Sequence, residues 1–186
     1  LHIGEHMQHK ELVKHIKKSL ELTQSKEEYR PHLCGVYFCP DKEAAVSTNG
    51  YALTFSRTLY DRNLSGKIIN FKEMKSIERE YLKYQPVMPS PARCKKATVT
   101  IGTQYAQKLK RGNMPVYFYL GADDTLEVSY DRREGALFSI NAPLMFPVAI
   151  GHTFHVLYSG ELNPVMFGFD EEFNNAVVIM PLKMGA

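Results

Sequence analysis

Two acidic runs and two groups of histidines are the residues best suited to chemistry in this 186-residue chain. Asp123-Asp124 and Asp170-Glu171-Glu172 could share a cation or a proton, as paired carboxylates do in many active sites. Both runs are set among turn-forming residues between apolar stretches, and they read as solvated hairpin turns. His152 and His155 lie in HTFHVLYS, a stretch with strand character. A spacing of three puts the two imidazoles on opposite faces of a strand, which disfavours a shared metal. His2, His6 and His9 would share one face of a helix, but no Cys or carboxylate cluster is arranged to complete a site there. A frayed terminus with incidental imidazoles accounts for them. Cys34, Cys39 and Cys94 are odd in number and lack metal-ligand spacing, which fits a reduced, cytoplasmic protein. Neither a GxxxxGK[ST] phosphate loop nor an HExxH metal motif occurs. The expectation is a protein with no catalytic residue, no cofactor and no resident metal; an enzyme is the class the sequence supports least.

Charge has to be read by its distribution. The formal net charge of +3, from 23 basic and 20 acidic residues, is too weak to announce nucleic-acid binding. HKELVKHIKKSLELTQ reads as a helix, with Leu12, Val13, Ile16 and Leu20 as its apolar stripe. Lys10, Lys14, Lys17 and Lys18 sit together on another face. FKEMKSIEREYLKY predicts a second helix, with Phe71, Met74, Ile77 and Tyr81 on one side and Lys72, Lys75, Arg79 and Lys83 on another. A solvated lysine face is the ordinary explanation of such a pattern. The alternative is that both basic faces point at one polyanion, where lysines suit contact with phosphates without base readout. Glu11, Glu21, Glu73, Glu78 and Glu80 dilute the signal.

Between and after these segments the chain breaks into short runs rich in β-branched and aromatic residues, divided by turn residues. They are HLCGVYFCP, EAAVSTN, YALTFSRTLY, GKIINF, KATVTIG, MPVYFYLG, TLEVSYD, GALFSINA, HTFHVLYS, NPVMFGFD and NAVVIMPLKM. The order helix, strands, helix, strands predicts an α+β fold of antiparallel sheets with two helices on one face, not a doubly wound parallel sheet. Residues 1–8 read as a flexible tail. Residues 9–186 read as a single domain, with 151–186 adding extra C-terminal strands. No apolar run is long enough to span a bilayer, and no membrane partner is expected.

One hairpin carries more than hairpin residues. In EAAVSTNGYALTFSR the dipeptide Asn49-Gly50 separates two strand-like runs, and both residues tolerate positive φ. The longer stretch YRPHLCGVYFCPDKEAAVSTNGYALTFSR resembles the repeated signature of the bacterial DNA polymerase sliding clamp, the β subunit. There a T-R-P-x-L-x-G-V stretch is followed by a strand and then A-T-D-G-H-R-L-A. The counterparts here are Arg30, Pro31, Leu33, Gly35 and Val36, then Ser47, Thr48, Asn49, Gly50, Tyr51, Ala52 and Leu53. SGKIINFKEMKSIE resembles the strand leading into that family's second helix, and GALFSINAPLMFPV a stretch near the end of one clamp domain. The terminal NPVMFGFDEEFNNAVVIMPLKM is similar to the family's C-terminus, which closes on V-M-P-M-R-L; Ile179, Met180, Pro181, Leu182 and Lys183 stand there. Two departures are plain. Tyr51-Ala52 replaces the family's His-Arg pair, and Asn49 replaces its Asp.

The resemblance implies a DNA-clamp-like fold and a role in DNA replication: a processivity-type tether that holds polymerase or repair proteins near duplex DNA. In that family the T-D-G-H-R-L and M-P-M segments line one hydrophobic pocket for short linear motifs of those partners. Carried over, the pocket is Thr48, Gly50, Tyr51, Leu53, Met180, Pro181 and Leu182, and DNA contact falls to Lys10, Lys14, Lys17, Lys18, Lys72, Lys75, Arg79 and Lys83. The bland reading of the pocket set is edge-strand and core packing, with Met180 and Leu182 sharing one strand face. A bacterial clamp has three such domains per chain and closes a ring from two chains. This chain has room for about one domain plus extra strands, so a homo-oligomeric ring would need roughly six copies. The competing reading is a monomeric peptide-binding adaptor or regulator that keeps the fold without ring or DNA binding.

Overall fold

The computed structural model describes residues 8–105 and 114–185. His2, His6 and all but the last residue of the expected tail 1–8 lie outside the described residues. Helix α1 spans His9–Leu22. It buries Ile16, Ser19 and Leu20, with Leu12 and Val13 half-buried, so the stripe read from the sequence is its inner face. Lys10, Lys14, Lys17 and Lys18 are exposed. The helix ends at Thr23, whose amide donates to Ser19 O (2.9 Å) and whose hydroxyl is buried between Ser47 Oγ (2.6 Å) and Thr54 Oγ1 (2.9 Å). That triad ties the C-terminus of α1 to two strands of the sheet beneath it.

Among the described residues twelve strands follow. They are β1 (Val36–Cys39), β2 (Ala44–Thr48), β3 (Ala52–Ser56), β4 (Ile68–Asn70), β5 (Lys75–Ile77) and β6 (Lys95–Thr100). Then come β7 (Pro115–Leu120), β8 (Leu126–Ser129), β9 (Phe138–Asn141), β10 (Thr153–Tyr158), β11 (Val165–Gly168) and β12 (Asn175–Ile179). Nine form one sheet in the order β5-β4-β1-β2-β3-β12-β11-β10-β6, and three form a second, β8-β7-β9. The described strand pairs are antiparallel. The strands expected from the sequence are all present, and the fold is α+β as read.

The nine-stranded sheet is covered on both faces, which explains why β2, β3, β11 and β12 are buried at every residue. Side chains alternate between the faces along a strand. Ala45, Ala52, Val177 and Ile179 join α1 and the three-stranded sheet in one core, where Phe118 stacks on Phe138 at 4.6 Å. Val46, Leu53, Phe55, Ala176 and Val178 join a second core on the other face, with Leu33, Tyr81 and Tyr84.

The structure corrects the second helix. FKEMKSIEREYLKY is not helical: Phe71–Met74 turn, Lys75–Ile77 form β5, and the chain then crosses to the opposite face of the sheet from α1. Among the described residues one α-helix, not two, lies on the inner face. The Asn70 side chain accepts from the amides of Lys72 (3.0 Å) and Glu73 (3.2 Å), closing a local turn that competes with a helix start. Met74 completes the reversal with φ 53° and stays 76% exposed. Burial then outweighs helical periodicity. Tyr81 stacks on Tyr37 at 4.7 Å and Tyr84 is 1% exposed, so both rings fill the second core. Lys72, Lys75, Arg79 and Lys83 are exposed, but on a turn, a short edge strand and a loop rather than on one helical face. Beside α1 lies a groove of about 230 Å³ lined by Leu20, Val36, Phe38, Leu64 and Phe71.

Candidate peptide-binding site

The segment 48–53 and the chain's end are brought together by one strand pairing. β3 and β12 are antiparallel neighbours with Val178 opposite Leu53 and Ile179 opposite Ala52. Continuing that register sets Met180 beside Tyr51, where the Met180 amide donates to Tyr51 O (2.9 Å). Buried polar groups hold the pairing at its far end: Ser56 Oγ donates to Asn175 Oδ1 (2.6 Å) and Asn175 Nδ2 donates to Thr58 Oγ1 (2.8 Å). The register cannot slip by one residue without turning Leu53, Phe55, Ala176 and Val178 out of the second core.

The turn between β2 and β3 is built from side-chain hydrogen bonds. Gly50 has φ 90°, a conformation that favours glycine, whereas Asn49 keeps negative φ and serves through its side chain. Asn49 Oδ1 accepts from the amides of Tyr51 (2.9 Å) and Ala52 (2.9 Å). Thr48 Oγ1 donates to Ala52 O (2.8 Å) and accepts from the Gly50 amide (3.1 Å). The hairpin therefore stands, but not as the tight turn with two left-handed residues that Asn-Gly suggests.

At this junction lies a cavity of about 110 Å³, lined by Thr48, Gly50, Tyr51, Ala52, Leu53, Leu82, Tyr84, Val87, Val178 and Met180. Its floor is fixed: Ala52, Leu53, Tyr84 and Val178 are each at most 3% exposed. Its rim is open, with Tyr51 68%, Val87 41% and Met180 36% exposed. Burial pushes the Tyr84 hydroxyl well above the usual tyrosine range, with the Cys39 thiol next in effect, and does the same to Tyr81. Both hydroxyls stay neutral at physiological pH; the Tyr84 ring is an apolar wall of the cavity, and Tyr81 packs in the core beside it.

Of the residues singled out from the sequence, Thr48, Gly50, Tyr51, Leu53 and Met180 line this one cavity. Pro181 and Leu182 do not. β12 ends at Ile179, and the chain then leaves the sheet, so that the Leu182 amide donates to Ser139 O on β9 (2.7 Å). The strand alternation that would place Met180 and Leu182 on one face stops short of both. Sequence reasoning missed Leu82, Tyr84 and Val87, because the first two fall in the segment read as a helix and Val87 lies just beyond it. The signal present was a run of apolar residues, Leu82, Tyr84, Val87 and Met88, too dense for a solvated linker.

The other chemistry-bearing residues have structural partners. The Asp170 carboxylate accepts from the amides of Asn174 (3.0 Å) and Asn175 (3.2 Å), closing the turn between β11 and β12. Asp123 and Asp124 occupy the turn between β7 and β8. His155 lies near Asp123, Asp124 and Glu171, whereas His152 stacks against Phe169 at 6.0 Å, consistent with opposite strand faces. Among the described residues no group of three or more His, Cys, Asp or Glu is placed to hold a metal ion. His15 Nε2 donates to Pro147 O (2.7 Å), and burial lowers its pKa from the ordinary value.

No protein-family model and no curated protein sequence matches the chain. Solved structures do. DNA polymerase III subunit beta from Borrelia burgdorferi, in complex with a natural product, superposes with a TM-score of 0.67 at 15% identity, over 92% of this chain and 62% of that one. The Bacillus subtilis sliding clamp gives 0.64 at 14% identity, over 100% and 67%. The Bartonella birtlesii clamp bound to griselimycin gives 0.62 at 16% identity, over 92% and 64%. The chain thus spans about two thirds of the length of each of these clamps. At such identities the likeness speaks for the fold, and the fold it shows is that of the bacterial DNA polymerase sliding clamp.

Proposed function

We propose that this protein is a non-enzymatic, clamp-type tether that holds partner proteins by a short linear motif seated in the cavity between Tyr51 and Met180. One observation carries the reading. Two segments more than a hundred residues apart, each similar to one wall of the clamp's partner pocket, meet across the β3–β12 pairing and enclose an apolar cavity with an open rim. Apolar walls with few free polar groups are what a peptide anchor site requires. Duplex DNA is the second partner in this reading, held by α1 through Lys10, Lys14, Lys17 and Lys18, with Lys72, Lys75, Arg79 and Lys83 as supplementary contacts. Binding of that kind is weak, sequence-independent and sensitive to salt. Tethering then works by local concentration: a partner held near DNA rebinds it as an intramolecular event.

The test is fluorescence anisotropy with a labelled peptide carrying a clamp-binding motif of a bacterial polymerase, alongside a labelled duplex. Saturable peptide binding that is lost on Tyr51→Ala supports the reading. No peptide binding refutes it. Solution mass across a concentration range, with and without duplex, reads out whether copies assemble.

A second reading has its own observation. The segment expected to supply a second basic helix instead forms β5 and a loop, so among the described residues the lysine face on α1 has no helical partner. That favours a peptide-binding adaptor without DNA affinity. A monomeric mass at all concentrations and no duplex binding at low salt select it.

A further inference from the structure

We propose that residues 78–94 form a strap that closes over a ligand of the cavity between Tyr51 and Met180, with Tyr81 and Tyr84 as plugs that hold it shut and release together. The grip on a peptide rests on the reading above; the opening of the strap does not. Topology supplies the span. The strap joins Ile77 to Lys95, and β5 and β6 are the two outer strands of the nine-stranded sheet, so the chain crosses the whole face opposite α1 from edge to edge. Nine strands spaced by about 4.8 Å set a crossing of about 38 Å. The 17 residues between Ile77 and Lys95 reach about 55–60 Å when extended. The surplus lets the strap lift while β5 and β6 stay paired. A connection of that length whose only regular element is the 3₁₀ turn Gln85–Val87 is uncommon in a compact domain unless it serves a site.

Attachment is by side chains. Among the described residues the backbone hydrogen bonds of the strap are local: the amides of Arg79, Val87, Met88 and Arg93 donate to the carbonyls of Ile77, Tyr84, Gln85 and Ser90. None reaches the strands that the strap crosses. Pro86, Pro89 and Pro91 have no amide to offer a ladder. Tyr37 and Cys39, two apart on β1, face the strap, and Tyr81 stacks on the first while Tyr84 lies against the second. Leu82 and Met88 pack half-buried beside them.

The plugs are imperfect. The Tyr81 hydroxyl lies beside the Thr48 backbone and the Tyr84 hydroxyl beside the Cys39 thiol, but both oxygens are sealed from solvent and neither makes a well-formed hydrogen bond. Each hydroxyl loses its hydration on closure without a full replacement, and lifting the strap restores it. The floor described above therefore belongs to the closed form. With the strap down, Leu82, Tyr84 and Val87 wall the cavity against the strands. With the strap up, Leu53 and Val178 face solvent. A ligand that touches the strands and these three residues together favours closure, because it meets all its contacts only there.

Cys39, 1% exposed against Tyr84, reports the opening. In protein carrying Cys34→Ser and Cys94→Ser it is the remaining thiol, and its labelling by a thiol-reactive disulfide is followed at rising urea. The expected rate is nearly independent of urea at low concentration and at least ~10-fold above what global unfolding allows. Tyr84→Phe removes a hydroxyl that closure leaves without a partner, so it slows labelling about 5-fold, whereas loss of a well-bonded hydroxyl would speed it. The polymerase-motif peptide, at about 100 times its dissociation constant, slows labelling about 100-fold. Labelling that follows global unfolding at every urea concentration overturns the strap. Faster labelling in Tyr84→Phe overturns the part given to the hydroxyl. A peptide that binds by anisotropy but leaves labelling unchanged overturns the grip and leaves the pocket reading standing. A peptide that does not bind overturns the pocket reading, and the urea series still decides the strap. Should the serine variant not fold, mass spectrometry of labelled fragments resolves Cys39 in the unaltered chain.

Discussion

Met180→Ala and Leu182→Ala form the sharpest pair of perturbations, because strand alternation treats the two residues alike and the structure does not. Met180 lines the cavity rim at 36% exposure, so about two thirds of it is buried before any ligand arrives. Full burial of a methionine side chain contributes about 1.5–3 kcal/mol, so covering the remaining third contributes about 0.5–1 kcal/mol. Truncation also strips one wall from the anchor, and the total loss of peptide affinity comes to about 1–2 kcal/mol. That is a factor of roughly 5–30 in the dissociation constant. Leu182 is half-buried beside β9 and outside the cavity, so its truncation leaves affinity within about twofold. Each change costs the fold about 1–2 kcal/mol as a partly buried truncation, so comparable melting temperatures make stability an internal control. The assay is peptide anisotropy on both variants at one temperature, well below their melting transitions. Equal losses, or a loss confined to Leu182→Ala, would refute the placement of the pocket and the argument from the β3–β12 register with it.

Three other outcomes follow from the same structure. Changing Lys10, Lys14, Lys17 and Lys18 together to Glu abolishes duplex binding, whereas the same change at Lys72, Lys75, Arg79 and Lys83 weakens it less, since only the first set shares one helical face; the slope of affinity against salt reports each loss. Thr23→Val leaves the fully buried hydroxyls of Ser47 and Thr54 without their shared partner and lowers stability by about 1–3 kcal/mol in urea unfolding, with α1 amides exchanging first. His15 has a folded pKa below the ordinary 6.5, lowered by burial and further by Lys18 and His152 against the raising effect of the Pro147 carbonyl. The unfolded chain therefore binds the proton more readily. The His15 contribution is complete above pH 6.5 and is lost as pH falls from there toward the lowered value, so the melting temperature drops on acidification and drops less in His15→Gln.

The sheets were legible, β5 apart, because their strands are short, apolar-rich and bounded by turn residues, and because turns such as Asn49-Gly50 and Asp123-Asp124 need local chemistry that the sequence displays. The helix α1 was legible for the same reason: Ile16 and Leu20 recur at helical spacing and nothing nearby offers the backbone an alternative. The second helix failed on particulars. Phe71, Met74, Ile77 and Tyr81 keep helical spacing, but Asn70 supplies a competing turn, and the far face of the sheet offers Tyr81 and Tyr84 deeper burial than a surface helix could. Periodicity reports which residues want to be buried. It does not report which of two sheet faces will bury them, and here the faces compete.

The cavity was half legible for a related reason. Its hairpin wall is local in sequence, but the wall made by Val178 and Met180 reaches it only through β3–β12 pairing, and Ser56 and Asn175 in that lock are separated by 119 positions. Contacts of such separation leave no trace in local pattern, which is why the likeness of two distant segments to a known pocket was needed to join them. The same non-locality has a physical consequence. Neither wall holds its shape alone: the hairpin requires β12 at its open edge, and Met180 is positioned by the Tyr51 carbonyl. The cavity therefore exists only when both cores are assembled. Its third wall, made by Leu82, Tyr84 and Val87, comes from the end of the segment read as a second helix and the residues just after it. The residues expected to form a second helix thus continue directly into residues that close the cavity, so the turn at Asn70 and the strand β5 decide the position of that wall.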